Sequence, residues 1–317
     1  MERLAHTITG IRRPVGWLVV AAACWGVDTT LSEYALRQLR PADVLLVQTV
    51  VGAAGLWLLL LASGSYQRVA STRPYLGLGL IEPGAAYLLL DLGLRRTNAV
   101  SGGILLSTET LLAIAICVIV LREAFRLRTA VALVAGVAGT ILVVAGGSHG
   151  TQVLRGDLLV LAGAAAAASY YLVAPGLPVG DHVLTGTAYQ LLASVAVAVA
   201  FAAWTWSTKG SLLLAASAGH LSAAGATGII GISIPFFLLN RSLTSTSAST
   251  AALVLNLVPV FSVISAMLLL GERLSLLAAA GGAVIIGGLL ILLGSTVRDL
   301  LAPTPVDGGP PRVGEVR

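Results

Sequence analysis

The sequence predicts an all-helical integral membrane protein, with ten transmembrane helices arranged as two inverted five-helix repeats. Three observations predict it. Charged residues make up 10% of the 317 residues and hydrophobic ones 57%, whereas a water-soluble domain carries about a quarter charged residues. Ten apolar segments follow one another, each close to the roughly 20 residues needed to cross about 30 Å of hydrocarbon. The second half of the chain also echoes the first at an offset of 149 residues.

The spans are read at 15–35, 43–62, 75–94, 98–120, 128–146, 157–174, 184–206, 222–240, 246–270 and 276–295. Arg12 and Arg13 ahead of an apolar run give residues 1–27 the pattern of a signal peptide. Nine further apolar segments make an uncleaved first span the expectation. The connecting loops are too short to hold a soluble domain. The Pro- and Gly-rich end "PTPVDGGPPRVGEVR" belongs to a tail, 298–317, expected to be disordered. Leu, Val, Ala and Ile with 36 Gly suit close helix packing in lipid. An outer-membrane barrel would instead show alternating strands and aromatic girdles.

The repeat is read from "RRTNAVSGGILLSTETLLAIAICVIVLREAF" (95–125) laid over "TSTSASTAALVLNLVPVFSVISAMLLLGERL" (244–274). Identities are few, but the order of features matches: a polar small-residue turn, an apolar span ending in Glu, and a Gly-rich last span. This divides the chain at 1–148 and 149–297. Five spans per unit is an odd number, so the second unit is inverted relative to the first. Inverted repeats mark secondary transporters, with the site near the midplane between the units. With an inside N-terminus, 12 Lys and Arg fall inside and 7 outside, which places both termini in the cytoplasm and the chain in the cell membrane.

Composition also excludes function classes. The net charge of +5 is spread over short loops with no basic block, so no nucleic-acid partner is expected. Cys24 and Cys117 lie inside apolar segments, away from any His or Cys at ligand spacing. No metal, disulfide or other cofactor is expected. A membrane-embedded enzyme would need a nucleophile or metal constellation at one depth, and the sequence shows none.

Several motifs carry a resemblance to the drug/metabolite transporter superfamily, in its EamA-like branch of ten-helix transporters. They are Trp25-Gly26, "LRRTNAV" entering the fourth span, "LREAF" and "LGERL", and the Gly-rich "GVAGTILVVAGG" and "GGAVIIGGLLILLG". The match runs over about residues 15–295. It implies transport of small polar metabolites such as amino acids or related organics, by alternating access and in the outward direction. Members commonly carry a proline near the centre of the fourth span, often after a glutamate. Here Glu109 is kept and Thr110 stands in the proline's place, while "NLVPV" keeps Pro259; the resemblance carries no kink over to the fourth helix. The four-helix multidrug relatives use a first-helix glutamate. Trp25 stands about there, with Asp28 nearly a turn on, so that mechanism is not carried over.

Polar residues inside the spans are the site candidates, because a charge at bilayer depth costs at least about 2.5–3.5 kcal/mol. Glu82 and Glu109 flank the Arg95-Arg96 turn almost symmetrically, so a hairpin sets their carboxyls at similar depth. Two carboxylates there cannot cheaply both ionise, which suits proton coupling or a counter-charge for an amine. The plain alternative is a protonated glutamate bonded to its neighbour. Asp28 shares a helix face with Cys24, Trp25 and Ser32 and joins the two glutamates as a coupling candidate. Trp25, Gln48, Tyr87, Ser107, Tyr170, Gln190, Phe236 and Asn256 are candidates for the cavity wall, each with packing as its alternative. Pro83 and Pro259 are the expected kinks. Glu33 with Arg37, and Asp91 with Arg95, read as interfacial ion pairs.

Glu123 and Glu272 end their helices in both repeats and read as architectural. Small residues four apart (Ala135/Gly139, Gly136/Thr140, Ala278/Gly282, Ala283/Gly287) serve either packing within a monomer or a homodimer through the fifth and tenth spans. The expectation is thus a carrier of small molecules in the bilayer, coupled to protons. An uncoupled facilitator, or a transporter-like receptor or accessory subunit without turnover, remains the rival.

Overall fold

The computed structural model describes residues 2–120, 127–146, 151–173, 182–246, 251, 254–255 and 257–301, and they contain helix and no strand. Helix α1 is Glu2–Leu36, α2 Pro41–Ala62, α3 Arg73–Leu94, α5 Leu127–Gly146, α6 Thr151–Val173, α7 Val183–Lys209, α8 Ala218–Leu243 and α10 Leu276–Leu301. Helix α4 comes in two pieces, Ala99–Leu106 and Glu109–Val120, and α9 includes Val258–Leu270. Among the described residues, six helices have the length and apolarity to cross a membrane, and four shorter apolar helices accompany them.

Local chemistry sets several ends. Pro41 opens α2, where its missing N–H costs nothing, and the Asp43 carboxylate accepts from the Arg40 N–H at 3.2 Å. Asn98 caps α4 by accepting from the Ser101 N–H at 2.8 Å. Gly210 and Gly271 close α7 and α9 with φ of 72° and 68°, a conformation that side chains resist.

The packing is reciprocal between the halves. Helix α1 packs on α8 and α9, and its counterpart α6 packs on α3 and α4. Helix α2 packs on α7 and α8, and α7 on α2 and α3. The pairs α4/α9 and α5/α10 pack on each other. In α5/α10, Gly139 and Gly281 each face the other's carbonyl, and a β-carbon at either would lie 2.6 Å from that oxygen. This part of the small-residue face is therefore used inside the monomer.

The breaks matter for function. Helix α3 loosens into a wide turn at Leu80–Ala85, where Glu82 is extended (φ −135°, ψ 114°) and Pro83 follows. Helix α8 has a matching wide turn at Gly228–Ser233. Helix α4 is interrupted at Ser107 and Thr108 without a proline. Both residues bond backwards, Ser107 Oγ to the Ile104 carbonyl at 2.5 Å and Thr108 Oγ1 to the Leu105 carbonyl at 2.7 Å. Hydroxyls that fold onto the preceding turn compete with helix continuation. Pro259 opens the helical piece Val258–Ser265 of α9.

Candidate functional site

A cavity of about 100 Å³ lies in the middle of the bundle. Six helices wall it. Trp25, Asp28 and Thr29 come from α1, Glu82, Ala86, Tyr87 and Leu90 from α3, and Leu106, Ser107, Glu109 and Thr110 from α4. The second half contributes Gly163, Ala167 and Tyr170 from α6, Phe236 and Leu239 from α8, and Leu255, Val258 and Pro259 from α9. The wall thus draws on α1, α3 and α4 and on their repeat counterparts α6, α8 and α9.

The breaks in α3 and α4 deliver the two glutamates. Glu82 sits at the extended residue of α3, and Glu109 opens the second piece of α4. Both line the cavity, near enough to feel each other's charge. Asp28 projects from α1 against Gly231, in the wide turn of α8. A β-carbon at Gly231 would overlap the Asp28 carboxyl, so glycine makes the room. Tyr87 ties the layer together: its hydroxyl donates to the Gly231 carbonyl at 2.6 Å and accepts from the Trp25 indole N–H at 2.9 Å. Trp25 meets Phe236 edge-on, with ring centroids 5.5 Å apart at 88°.

The structure brings Glu109, Glu82, Asp28, Trp25, Tyr87, Ser107, Tyr170, Phe236 and Pro259 to one wall. Two expectations are corrected. Gln48 and Gln190 do not line the cavity. They lie on α2 and α7, which pack behind α3 and α8, and both are fully buried. The Gln190 amide donates to the Glu82 carbonyl at 2.9 Å and accepts from Asn240 Nδ2 at 3.1 Å. Gln48 Nε2 donates to Asp91 Oδ2 at 2.7 Å. That contact also overturns the Asp91–Arg95 pair: Asp91 is fully buried while Arg95 is exposed. Glu33 and Arg37 do pair, at 3.1 Å. Asn256 lies outside the described residues, as does Glu123. Pro83 is buried beside Glu82 in the broken turn.

Sequence reading also missed residues behind the wall. Tyr170 donates its hydroxyl to Asn240 Oδ1, and Asn240 Nδ2 donates to Thr187 Oγ1 at 2.8 Å. Asn240 stands beside Arg241 near the end of its span, where it looks like a boundary residue. Asp43, fully buried near the start of α2, accepts from Trp206 Nε1 at 2.8 Å, Ser211 Oγ at 2.9 Å and the Leu212 N–H at 3.1 Å. It anchors the connection between α7 and α8.

A family model described as the EamA-like transporter family matches residues 12–145 and again 154–294. A solved structure described as "Crystal structure of protein" superposes with a TM-score of 0.62 at 18% identity, over 90% of this chain and 99% of that one; the likeness is one of fold. No curated protein matches the sequence.

Proposed function

The chain belongs to the EamA-like transporter family, and from that premise we propose that it is a secondary transporter exporting small polar metabolites by alternating access. The observation that supports this reading is the composition of the cavity wall, drawn from α1, α3 and α4 and from their counterparts α6, α8 and α9. A site between two inverted units is exposed to either side as the units rock about it. In this reading the repeats divide at 148/149, the protein sits in the cell membrane, and both termini are cytoplasmic.

Coupling to protons runs through Glu109 and Glu82. Their carboxyls share a cavity of low polarity, where two neighbouring negative charges repel strongly. Moving a proton on or off this pair changes what the site can hold. The test is substrate-driven proton flux in proteoliposomes, across a panel of amino acids and related metabolites, with binding followed separately. Wild type acidifies or alkalinises the lumen with a substrate gradient. Glu109→Gln loses that flux at least tenfold while binding persists. A wild-type transport rate that does not change with pH removes the coupling, and binding without any flux points to a receptor.

A further inference from the structure

We propose that the chain binds a sodium ion behind the cavity wall, between α1, α2 and α3, on side-chain oxygens of Asp28, Ser32, Gln48 and Asp91. The site goes beyond the transporter reading and stands or falls on ion binding alone.

Four orphaned oxygens carry it. Asp28 Oδ1, Ser32 Oγ, Gln48 Oε1 and Asp91 Oδ1 are buried without a hydrogen-bond partner, in residues that are 0–2% exposed. Gln48 Nε2 donates to Asp91 Oδ2 at 2.7 Å, which makes the unpartnered oxygens of that amide and that carboxyl neighbours. Asp28 and Asp91 are near enough to feel each other's charge. Asp28 and Gln48 also rest on the same wide turn of α8. A β-carbon at Gly231 would overlap the Asp28 carboxyl, and one at Gly228 would lie 2.6 Å from the Gln48 carbonyl oxygen.

The register of α1 and α3 brings in Ser32. The two helices run in the same direction: Leu18 and Leu78 share one apolar cluster, Leu36 and Leu94 another, and the Trp25–Tyr87 bond lies between. At 1.5 Å per residue, Asp91 stands about 6 Å beyond Tyr87, while Asp28 and Ser32 stand about 4.5 and 10.5 Å beyond Trp25. Asp91 therefore lies between Asp28 and Ser32 in depth. Ser32 shares the helix face of Trp25, and Asp91 that of Tyr87, so each is on the side that meets the other helix.

A proton on any one of these oxygens would itself lack an acceptor, and a water brings donors without charge. A cation satisfies several lone pairs at once and supplies the counter-charge that a buried carboxylate needs. The donors are all oxygen, the choice of a hard ion. Two carboxyls, an amide and a hydroxyl make a weaker set than three or more His, Cys, Asp or Glu, a grouping placed to hold a metal nowhere among the described residues. Calcium takes about six to eight oxygens and magnesium keeps several waters, more than this buried set accommodates. A single sodium balances one carboxylate, and the other carboxyl keeps its proton. Asp28 also lines the cavity, so in the transporter reading the ion props the wall from behind.

The experiment is equilibrium binding of radiolabelled sodium to the purified full chain in choline buffer, beside thermal unfolding in sodium, potassium, calcium and choline chlorides. The expected result is saturable binding of one sodium per chain, with potassium and calcium displacing it at least tenfold less well. The melting temperature rises with sodium and not with choline at equal ionic strength. Asp91→Asn keeps an oxygen to accept from Gln48 and loses at least tenfold in sodium affinity. Ser32→Ala gives up no hydrogen bond made in the structure, so it folds and binds sodium at least threefold more weakly. Thr205→Ala, which removes another orphaned buried hydroxyl, on α7, leaves sodium binding unchanged. Affinity that survives both site variants overturns the proposal, as does the absence of saturable sodium binding, stabilisation that choline reproduces, or a site that calcium fills better. If Asp91→Asn does not fold, Ser32→Ala and the ion series decide. Sodium binding without metabolite flux supports the site and removes the transporter; flux without sodium binding does the reverse.

Discussion

Asp91 and Gln48 illustrate how a buried polar pair constrains this protein. Asp91 is fully buried with Oδ1 unpartnered, so its bond from Gln48 is the stabilising contact it has in the structure. Removing the donor alone strands an acceptor, which costs about 1–3 kcal/mol; replacing both groups by apolar ones of similar shape costs less than the sum. Gln48→Leu and Asp91→Leu are therefore each expected to destabilise the protein by that amount in detergent unfolding. The double variant should recover at least about 1 kcal/mol of the combined loss. Additive losses would mean the two side chains act independently. Spacing along one helix made Asp91 look like the partner of Arg95. The face it presents, and the neighbour on α2, depend on how α3 is rotated in the bundle, which a one-dimensional pattern does not encode. Asp28, Glu82 and Glu109 were easier to place on the wall, because a carboxyl within an apolar run stands out whatever surrounds it.

At the scale of elements, interrupted helices build the site, and the chain interrupts them by different means. Proline marks the break in α3 and the start of the α9 piece, and these positions are legible as letters in the sequence. The break in α4 is not, since Ser107 and Thr108 make it by folding hydroxyls onto the preceding carbonyls. The wide turn in α8 carries only Gly228 and Gly231 as signals. In α3 the extended residue Glu82 turns its carbonyl away from the helix, and Gln190 on α7 receives it at 2.9 Å. Such a carbonyl needs a donor in a medium without water. Gln190→Leu should cost about 1–2 kcal/mol of stability through the lost bond. It should reduce transport by more than that loss of folded protein explains, because Glu82 is carried on the same broken turn. Gln190→Glu, which keeps an acidic hydrogen when protonated, should rescue part of the activity at low pH. Flux that merely tracks the amount of folded protein in both variants would assign Gln190 to packing alone.

Across the whole molecule, the largest apolar cluster reaches the side where α1 ends. Leu36, Leu39, Leu94, Ala99, Val100, Ile104 and Ala266 form a continuous apolar plug there, while the cluster near the start of α1 is smaller. The repeat was legible because length, apolarity and the Glu-ended spans survive divergence. The plug was not, because it depends on contacts between elements far apart in the chain. Glu272, from the connection after α9, reaches across the plug and accepts from the Val100 N–H at 2.9 Å and the Ala99 N–H at 3.3 Å. Glu33 on α1 also accepts from the Ala99 N–H, at 3.3 Å, and holds Arg37. The start of α4 is thus fastened to α1 and to the end of α9 by carboxylates at the positive end of its dipole. In the proposed alternating-access cycle this fastening opens. Glu272→Gln removes the charge and one acceptor oxygen while keeping the shape, which weakens the hold by about 1–2 kcal/mol. The conformation open on this side should then gain roughly five- to thirtyfold in population. A cysteine introduced at Thr29, in a background with Cys24 and Cys117 replaced, reads this directly. Its labelling by a membrane-impermeant maleimide applied from the side where α1 ends should rise by that factor in Glu272→Gln. Unchanged labelling from that side, with the protein folded, would mean that the apolar plug alone sets the closed state and that Glu272 only caps a helix.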